Sequence, residues 1–219
     1  MKKTDKGNIL TIIGIVAMIL LVLTRLLLTH QLAEYSLVIG IAFFFIVEWI
    51  SKTPKEESGL RFNTFFADLK KCGPFLWLIL LAISIVDIVL GTALFGRQYV
   101  DHVLGRTDSI LDFENFLVLT VQLIIGALGE EIAFRGFFTG KGMKLFGFWP
   151  VSLASSAVFA LAHLASGNTA VVIFDLVGIF IDAILYSMMM RKTNNCLVST
   201  VGHFLMNMIG MIEVYAFFW

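Results

Sequence analysis

Long apolar segments separated by short polar ones dominate the hydropathy pattern of this chain. A membrane-spanning helix needs about 20 mostly apolar residues. Seven stretches approach that length, at residues 8–28, 35–51, 75–95, 113–135, 149–166, 169–190 and 196–218. The pattern therefore predicts an all-α, polytopic transmembrane helix bundle of about seven spans.

The basic residues between these spans are distributed unevenly, and this distribution orients the bundle. With the N-terminus in the cytoplasm, thirteen of the 16 lysines and arginines fall in cytoplasmic segments, and Arg25, Arg97 and Arg106 fall toward the other side. Cytoplasmic loops of membrane proteins carry an excess of Lys and Arg. We therefore predict a cytoplasmic N-terminus and place the last residue, Trp219, outside.

The chain divides into two regions with different polar content. Residues 1–110 hold three predicted spans and a polar segment, residues 52–74, in which aromatic and apolar positions recur at helical spacing. That spacing favours a short amphipathic helix on the inner leaflet, with an ordinary connecting loop as the alternative. Residues 96–112 are predicted to form the outer loop. Residues 111–219 hold the remaining four spans and most of the polar residues that lie within spans.

The composition narrows the class of protein further. The chain is 58% hydrophobic and 15% charged, which is typical of a membrane protein and not of a soluble domain. The formal net charge is zero, so no nucleic-acid partner is indicated. Cys72 and Cys196 both fall at predicted cytoplasmic ends, where thiols stay reduced. We therefore expect no disulfide.

The first group of candidate functional residues ends the fourth predicted span. Charged side chains at membrane depth usually face a bundle interior or a wet cavity. Glu131 and Arg135 are four residues apart and can pair on one helix face, whereas Glu130 points about 100° away and has no cation nearby in the sequence. We interpret the pair as structural and Glu130 as the working group. The alternative is a solvated helix end.

Two further polar pairs lie in the fifth and seventh predicted spans. Phe159 and His163 are four residues apart, as are His203 and Asn207, so each pair shares one helix face. Polar side chains within a membrane need partners inside the protein. These residues and Glu130 are therefore candidates for one common pocket.

The heights of these residues pose a difficulty for that pocket. Straight helices would place Glu130 and His203 toward the cytoplasmic side, with His163 about 20 Å above Pro150. Contact between them requires helix tilt, a deep start for the fifth helix, or a short helix within residues 136–148.

Such a set of side chains can support two kinds of hydrolysis. A glutamate with a histidine beside it can take a proton from water, and a second histidine and an asparagine amide can donate to a developing oxyanion. Alternatively, Glu130, His163 and His203 can ligate a divalent metal such as zinc and leave one position open for water. The residue types alone leave both alternatives open.

Other charged residues within the spans have simpler interpretations. Arg25 is predicted to extend toward the outer surface or to pair with Glu213. Asp175 and Asp182 share a helix face, which indicates a structural polar seam or, alternatively, the proton path of a transporter. The lack of two matching halves argues against a transporter.

The three polar groups resemble the signature motifs of a known family. Glu130-Glu131-x-x-x-Arg135, Phe159-x-x-x-His163 and His203-x-x-x-Asn207 occur in order on separate predicted helices. They resemble the motifs of the CPBP family, intramembrane proteases similar to CAAX prenyl protease 2 and to the bacteriocin-immunity-associated Abi proteins. The resemblance covers residues 110–215.

The resemblance implies a role for each motif residue. Glu130 would activate water with help from His163, His203 and Asn207 would form the oxyanion site, and Glu131, Arg135 and Phe159 would support them. It also implies a glutamate mechanism without a cofactor, with a metal at Glu130, His163 and His203 as the alternative.

The implied activity is cleavage of a membrane-associated peptide by a multi-pass protein of the cell membrane, in a bacterium. Peptide processing and bacteriocin self-immunity are the processes that the resemblance suggests. The alternative is a non-catalytic membrane immunity or regulatory partner protein.

Overall fold

A computed structural model of the chain describes residues 3–27, 32–107 and 115–218. Regular structure within these ranges is helical, without strands, which confirms the all-α prediction. The elements in chain order are α1 (Lys3–Leu27), α2 (Tyr35–Ser51), α3 (Phe65–Cys72), α4 (Pro74–Phe95), α5 (Arg97–Thr107), α6 (Phe116–Glu131), a π-helical segment (Ile132–Thr139), α7 (Gly140–Phe146), α8 (Phe148–Ala162), α9 (Thr169–Thr193) and α10 (Cys196–Phe218).

The apolar helices correspond to the predicted spans. Among the described residues, four helical stretches are long and apolar enough to cross a membrane: Asp5–Leu26, Leu76–Phe95, Phe116–Phe146 and Thr169–Thr193. Three shorter apolar helices accompany them: Tyr35–Ser51, Phe148–Ala162 and Cys196–Ile212. The chain is therefore a multi-pass helical membrane bundle.

The fourth span is longer than the sequence predicts. We expected it to end at residue 135, but α6, the π-helical segment and α7 form one helix, Phe116–Phe146, that ends at Gly147 with φ +81°. Arg135 lies inside the bundle and is 0% exposed, so its predicted place in a cytoplasmic loop is wrong. Two of the charges that ended the predicted span, Glu131 and Arg135, pair inside the protein. Lys141, which follows in the same helix, donates to Glu48 of α2.

The two polar segments of the N-terminal region are partly helical. The predicted outer loop, residues 96–112, instead contains α5, while Asp108 and Asp112 lie outside the described residues. Within residues 52–74, the short helix α3 forms as the spacing of apolar residues predicts, and the aromatic side chains of Phe62 and Phe66 are exposed.

Chain order divides the helix ends between two ends of the bundle. One, the lysine end, holds the start of α1, the end of α2, α3, the end of α7, the start of α8 and the end of α9. The other, the α5 end, holds the end of α1, α5, the start of α6, the end of α8 and the start of α9. The contact between Lys141 and Glu48 belongs to the lysine end, and the contact between Arg106 of α5 and Asp175 of α9 belongs to the α5 end.

The π-helical segment lies at the centre of the core. All eight of its residues are buried. It packs in one apolar cluster with Met18 of α1, Phe44 of α2, Phe159 of α8 and Met190 of α9. The N-terminal and C-terminal helices thus share one core, and the predicted region boundary at residues 110–111 lies outside the described residues.

Candidate active site

The helical hairpin around Gly147 brings the first two motifs to the same height. Glu130 lies 17 residues before Gly147 on the long helix, and His163 lies 16 residues after it, directly behind α8. At 1.5 Å per residue, both are about 25 Å from the turn. This equal spacing removes the expected height mismatch, which followed from ending the fourth span eleven residues too early.

The carboxylate of Glu130 lies between two imidazole rings. Its Oε1 is 3.9 Å from Nε2 of His163, and its Oε2 is 3.6 Å from Nε2 of His203. The Glu130 side chain is 28% exposed, whereas that of His203 is only 8% exposed. The three motif residues therefore converge, and the carboxylate remains accessible.

Hydrogen bonds on the far side of each ring fix its orientation. Nδ1 of His163 is 2.8 Å from the carbonyl oxygen of Phe159, and Nδ1 of His203 is 3.1 Å from Oε1 of Glu131. A carbonyl or carboxylate oxygen only accepts, so each Nδ1 carries a proton and donates it. Both Nε2 atoms are thereby directed toward Glu130.

A buried ion pair between Glu131 and Arg135 supports this arrangement. Oε1 of Glu131 is 3.1 Å from Nη1 of Arg135, and both side chains are almost fully buried. The guanidinium lies over the ring of Phe159, at 4.2 Å, and near that of Tyr186, at 5.1 Å. Tyr186 in turn stacks on His203 with ring centroids 5.0 Å apart. The pair expected from the i,i+4 spacing thus also holds His203, which the sequence did not predict.

The ring of Phe159 joins the two histidines through edge and tilted contacts. Its centroid is 4.6 Å from that of His163, 5.8 Å from that of His203 and 5.0 Å from that of Phe134. Phe159 also supplies the carbonyl oxygen that orients His163. One residue therefore positions both imidazoles.

A cavity of about 590 Å³ opens beside Glu130. Glu130, His163, His203 and Asn207 all line it, so the structure brings together the four residues that we selected as candidates for chemistry. Asn207 lies one helical turn beyond His203 on α10.

Three aspartates from the spans also line this cavity. Asp175 accepts from Nη1 of Arg106 at 2.8 Å, and the hydroxyl of Tyr99 donates to Asp87 at 2.8 Å. Oδ1 of Asp182 is buried without a hydrogen-bond partner. The partner of Asp87, which the sequence did not reveal, comes from α5, a helix that we predicted as loop.

Arg25 is a further residue of the site that sequence reasoning missed. Its Nε donates to the carbonyl of Leu164 at 2.7 Å, and its Nη1 donates to the carbonyl of Ala162. Its guanidinium group therefore binds the backbone at the end of α8 instead of extending toward the surface. The predicted pairing with Glu213 concerns a side chain outside the described residues. A cation favours the C-terminal end of a helix, so Arg25 stabilises the end of α8 on both sides of His163. The position of Arg25 within an apolar span was the sequence feature that could have indicated this role.

No group of three or more His, Cys, Asp or Glu side chains in the described ranges is arranged as a metal ion requires. The predicted zinc alternative would use Glu130, His163 and His203, the same residues as the metal-free alternative. Measurement of the metal content of the purified protein is therefore needed to distinguish the two alternatives.

Comparison with known proteins agrees with the motif resemblance. Residues 112–209 match the family model described as type II CAAX prenyl endopeptidase Rce1-like. This range contains all three motifs, and it confirms the similarity to CPBP intramembrane proteases. No curated protein and no solved structure matches the chain.

Proposed function

Since residues 112–209 match the Rce1-like type II CAAX prenyl endopeptidase model, we propose that this protein is an intramembrane endopeptidase that hydrolyses a membrane-associated peptide. One observation carries the proposal beyond the family match. The Glu130 carboxylate faces Nε2 of both His163 and His203 at the side of a cavity large enough for a peptide segment.

In the proposed reaction, Glu130 acts as the base. Its carboxylate takes a proton from a water molecule held between Glu130 and His163, and the water oxygen attacks the carbonyl carbon of the peptide bond. Glu130 then delivers that proton to the nitrogen as the C–N bond breaks. The products are one peptide with a new carboxylate and one with a new amine.

His203 and Asn207 are proposed to stabilise the oxyanion of the tetrahedral intermediate. Because Nδ1 of His203 donates to Glu131, its Nε2 donates to the substrate only when the ring is protonated. Donors that are oriented before the substrate arrives need no rearrangement during the reaction, which is the main source of this kind of stabilisation.

We propose the metal-free form of this mechanism. The two Nδ1 hydrogen bonds orient both rings without a metal, and Glu130 lies close enough to both Nε2 atoms to exchange protons with a shared water. Purified protein is expected to hold less than stoichiometric zinc and to keep its activity after treatment with a chelator. Loss of activity on chelation, restored by added zinc, would favour the metal alternative instead.

The proposal predicts that Glu130→Gln abolishes cleavage of a membrane-embedded peptide library, by at least about 10²-fold. The matched control is Glu56→Gln, because Glu56 is an exposed glutamate at the lysine end. Cleavage is followed by mass spectrometry in detergent or liposomes, with expression and thermal unfolding measured alongside. A biological phenotype that survives both Glu130→Gln and His203→Ala would support the non-catalytic partner protein instead.

A further inference from the structure

The cavity beside Glu130 lies mainly toward the α5 end of the bundle. At that end it is lined by the first turns of α2 and by α5, and it continues along α6 as far as Glu130 and along α9 as far as Tyr186. Tyr186 and His203 are each seven residues from the lysine end of their helix. Of the described residues, none in α3 or α7 lines the cavity. The site is therefore reached along the α5 end.

At the lysine end, hydrogen bonds close the bundle. The backbone N–H of Cys196, at the start of α10, donates to the carbonyl of Gly59 at 2.8 Å. Asn195 is 0% exposed and donates to the carbonyl of Arg61 at 2.8 Å and to Oδ2 of Asp68 at 3.0 Å. The connection between α9 and α10 is thus covered by the segment 57–72, which we call the cap.

The cap is joined to the bundle by charged as well as neutral hydrogen bonds. Nη2 of Arg61 donates to Asp68 at 3.0 Å and to the carbonyl of Thr193 at 2.6 Å. Nζ of Lys192 donates to the carbonyl of Cys72 at 2.8 Å. Cys72, Thr193 and Cys196 are all 0% exposed. Among the described residues, these contacts close the lysine end, so a substrate does not reach Glu130 from that side.

The charges distinguish the two sides of the membrane. Of the 15 lysines and arginines among the described residues, Arg135 lies inside the bundle, three lie toward the α5 end (Arg25, Arg97 and Arg106), and the other eleven lie at the lysine end. Moving Arg135 inward does not alter the bias. By the positive-inside rule, the lysine end faces the cytoplasm.

We propose that the catalytic cavity opens to the extracytoplasmic side, and that the substrate is an exported peptide, or a segment anchored in the outer leaflet, cleaved within the outer half of the bilayer. This inference rests on the proposed endopeptidase activity. It separates this chain from an enzyme that trims prenylated tails of cytoplasmic proteins, because those tails would meet the closed lysine end. Water reaches Glu130 from the same outer side, past the charged side chains of Arg25, Glu34 and Arg106 that line the cavity.

Single cysteines in the full-length chain test the side of access. Gly126 lines the cavity, and a Cβ built on it meets nothing within 4 Å, so Gly126→Cys places a thiol there without steric strain. Asp101→Cys marks the α5 end, and Lys55→Cys marks the lysine end; both positions are exposed. Cys72 and Cys196 are buried, so the unmodified chain gives the background. The probe is a charged, membrane-impermeant methanethiosulfonate, applied to spheroplasts before and after permeabilisation.

We expect Gly126→Cys and Asp101→Cys to react with the probe in intact spheroplasts. Lys55→Cys should react at least about 10-fold more slowly there and should reach a comparable rate only after permeabilisation. Three results would overturn the proposal: reaction of Gly126→Cys only after permeabilisation, no reaction of Gly126→Cys on either side, or reaction of Lys55→Cys in intact spheroplasts. Labelling requires no turnover and is repeated in the Glu130→Gln chain. Its failure is therefore separate from failure of the proposed activity, which the cleavage assay measures.

Discussion

At the scale of residues, Glu131 connects the ion pair to the chemistry. Its Oε1 is 3.1 Å both from Nη1 of Arg135 and from Nδ1 of His203. A single buried carboxylate thereby compensates the arginine and orients the imidazole that faces Glu130. Of the two adjacent glutamates, Glu130 is accessible from the cavity and Glu131 is fully buried.

The Glu131–Arg135 pair has a matched counterpart on the surface. Arg97 and Asp101 are also four residues apart on a helix, at 3.2 Å, but their side chains are 62% and 59% exposed. Breaking a buried pair leaves an uncompensated charge and costs about 3–5 kcal/mol, whereas an exposed helical pair contributes about 0.3–0.5 kcal/mol.

We therefore expect Glu131→Gln to lower the free energy of unfolding severalfold more than Asp101→Asn does. Thermal unfolding of both variants in the same detergent measures the difference. Similar unfolding temperatures for the two would mean that the buried pair contributes no more than a surface pair.

The sequence predicted that Glu130, His163, His203 and Asn207 could share one pocket, and they line one cavity, but it did not predict all the contacts around them. The i,i+4 spacing of Glu131 and Arg135, and of His203 and Asn207, describes one helix at a time, so it places side chains on a common face. The Glu131–His203 contact and the hydrogen bonds of Arg25 join different helices. They depend on relative helix heights, which a single sequence does not contain.

At the scale of elements, the π-helical segment determines how the long fourth span passes through the core. Its hydrogen bonds run from i to i+5, a rare pattern that is frequent at functional sites. It begins directly after Glu131 and carries Arg135. Because Glu130, Glu131 and Arg135 together looked like the end of an apolar run, the predicted span stopped there. Spans with isolated charges were placed nearly correctly, for example residues 35–51, which contain Glu48 and form α2.

Two glycines of this long helix differ in their surroundings. A Cβ on Gly140 would lie 2.7 Å from Cε of Met190 and 2.9 Å from the backbone oxygen of Arg135. A Cβ on Gly126 would meet nothing within 4 Å. Overpacking a core costs about 1–3 kcal/mol, while replacing an unhindered helical glycine by alanine stabilises by about 0.5–1 kcal/mol.

Gly140→Ala is therefore expected to destabilise the protein and Gly126→Ala to leave it unchanged or slightly stabilised. Thermal unfolding of the two variants in detergent tests this. Equal stability of both would show that the helix shifts at Gly140 without cost.

At the scale of the whole molecule, the cap makes the two ends of the bundle unlike each other. Asp68 is the acidic centre of this cap, on the short helix α3 outside the spans. Burial alone would raise the pKa of Asp68. Hydrogen bonds from Thr64 and Asn195 and the charges of Arg61 and Lys71 outweigh that effect, so its pKa is lowered.

A carboxyl group whose folded-state pKa is lowered adds stability above its unfolded pKa of about 4, and this stability is lost as the pH falls through the lower folded value. We expect Asp68→Asn to lose that contribution at neutral pH and to flatten the decline in unfolding temperature below pH 4. Asp101→Asn, at an exposed carboxylate, serves as the control and should keep the wild-type profile. If the unfolding temperature of Asp68→Asn depended on pH as that of the wild type does, Asp68 would not contribute to the loss of stability in acid.

The equal distances from Gly147 to Glu130 and to His163 also constrain how this protein can diverge. Inserting one residue into either arm would rotate everything beyond it by about 100° and raise it by about 1.5 Å. The carboxylate and the imidazole would then no longer face each other. Substitutions between positions 130 and 163 leave this spacing unchanged, whereas insertions and deletions alter it, so gaps in alignments of related chains should fall outside this stretch.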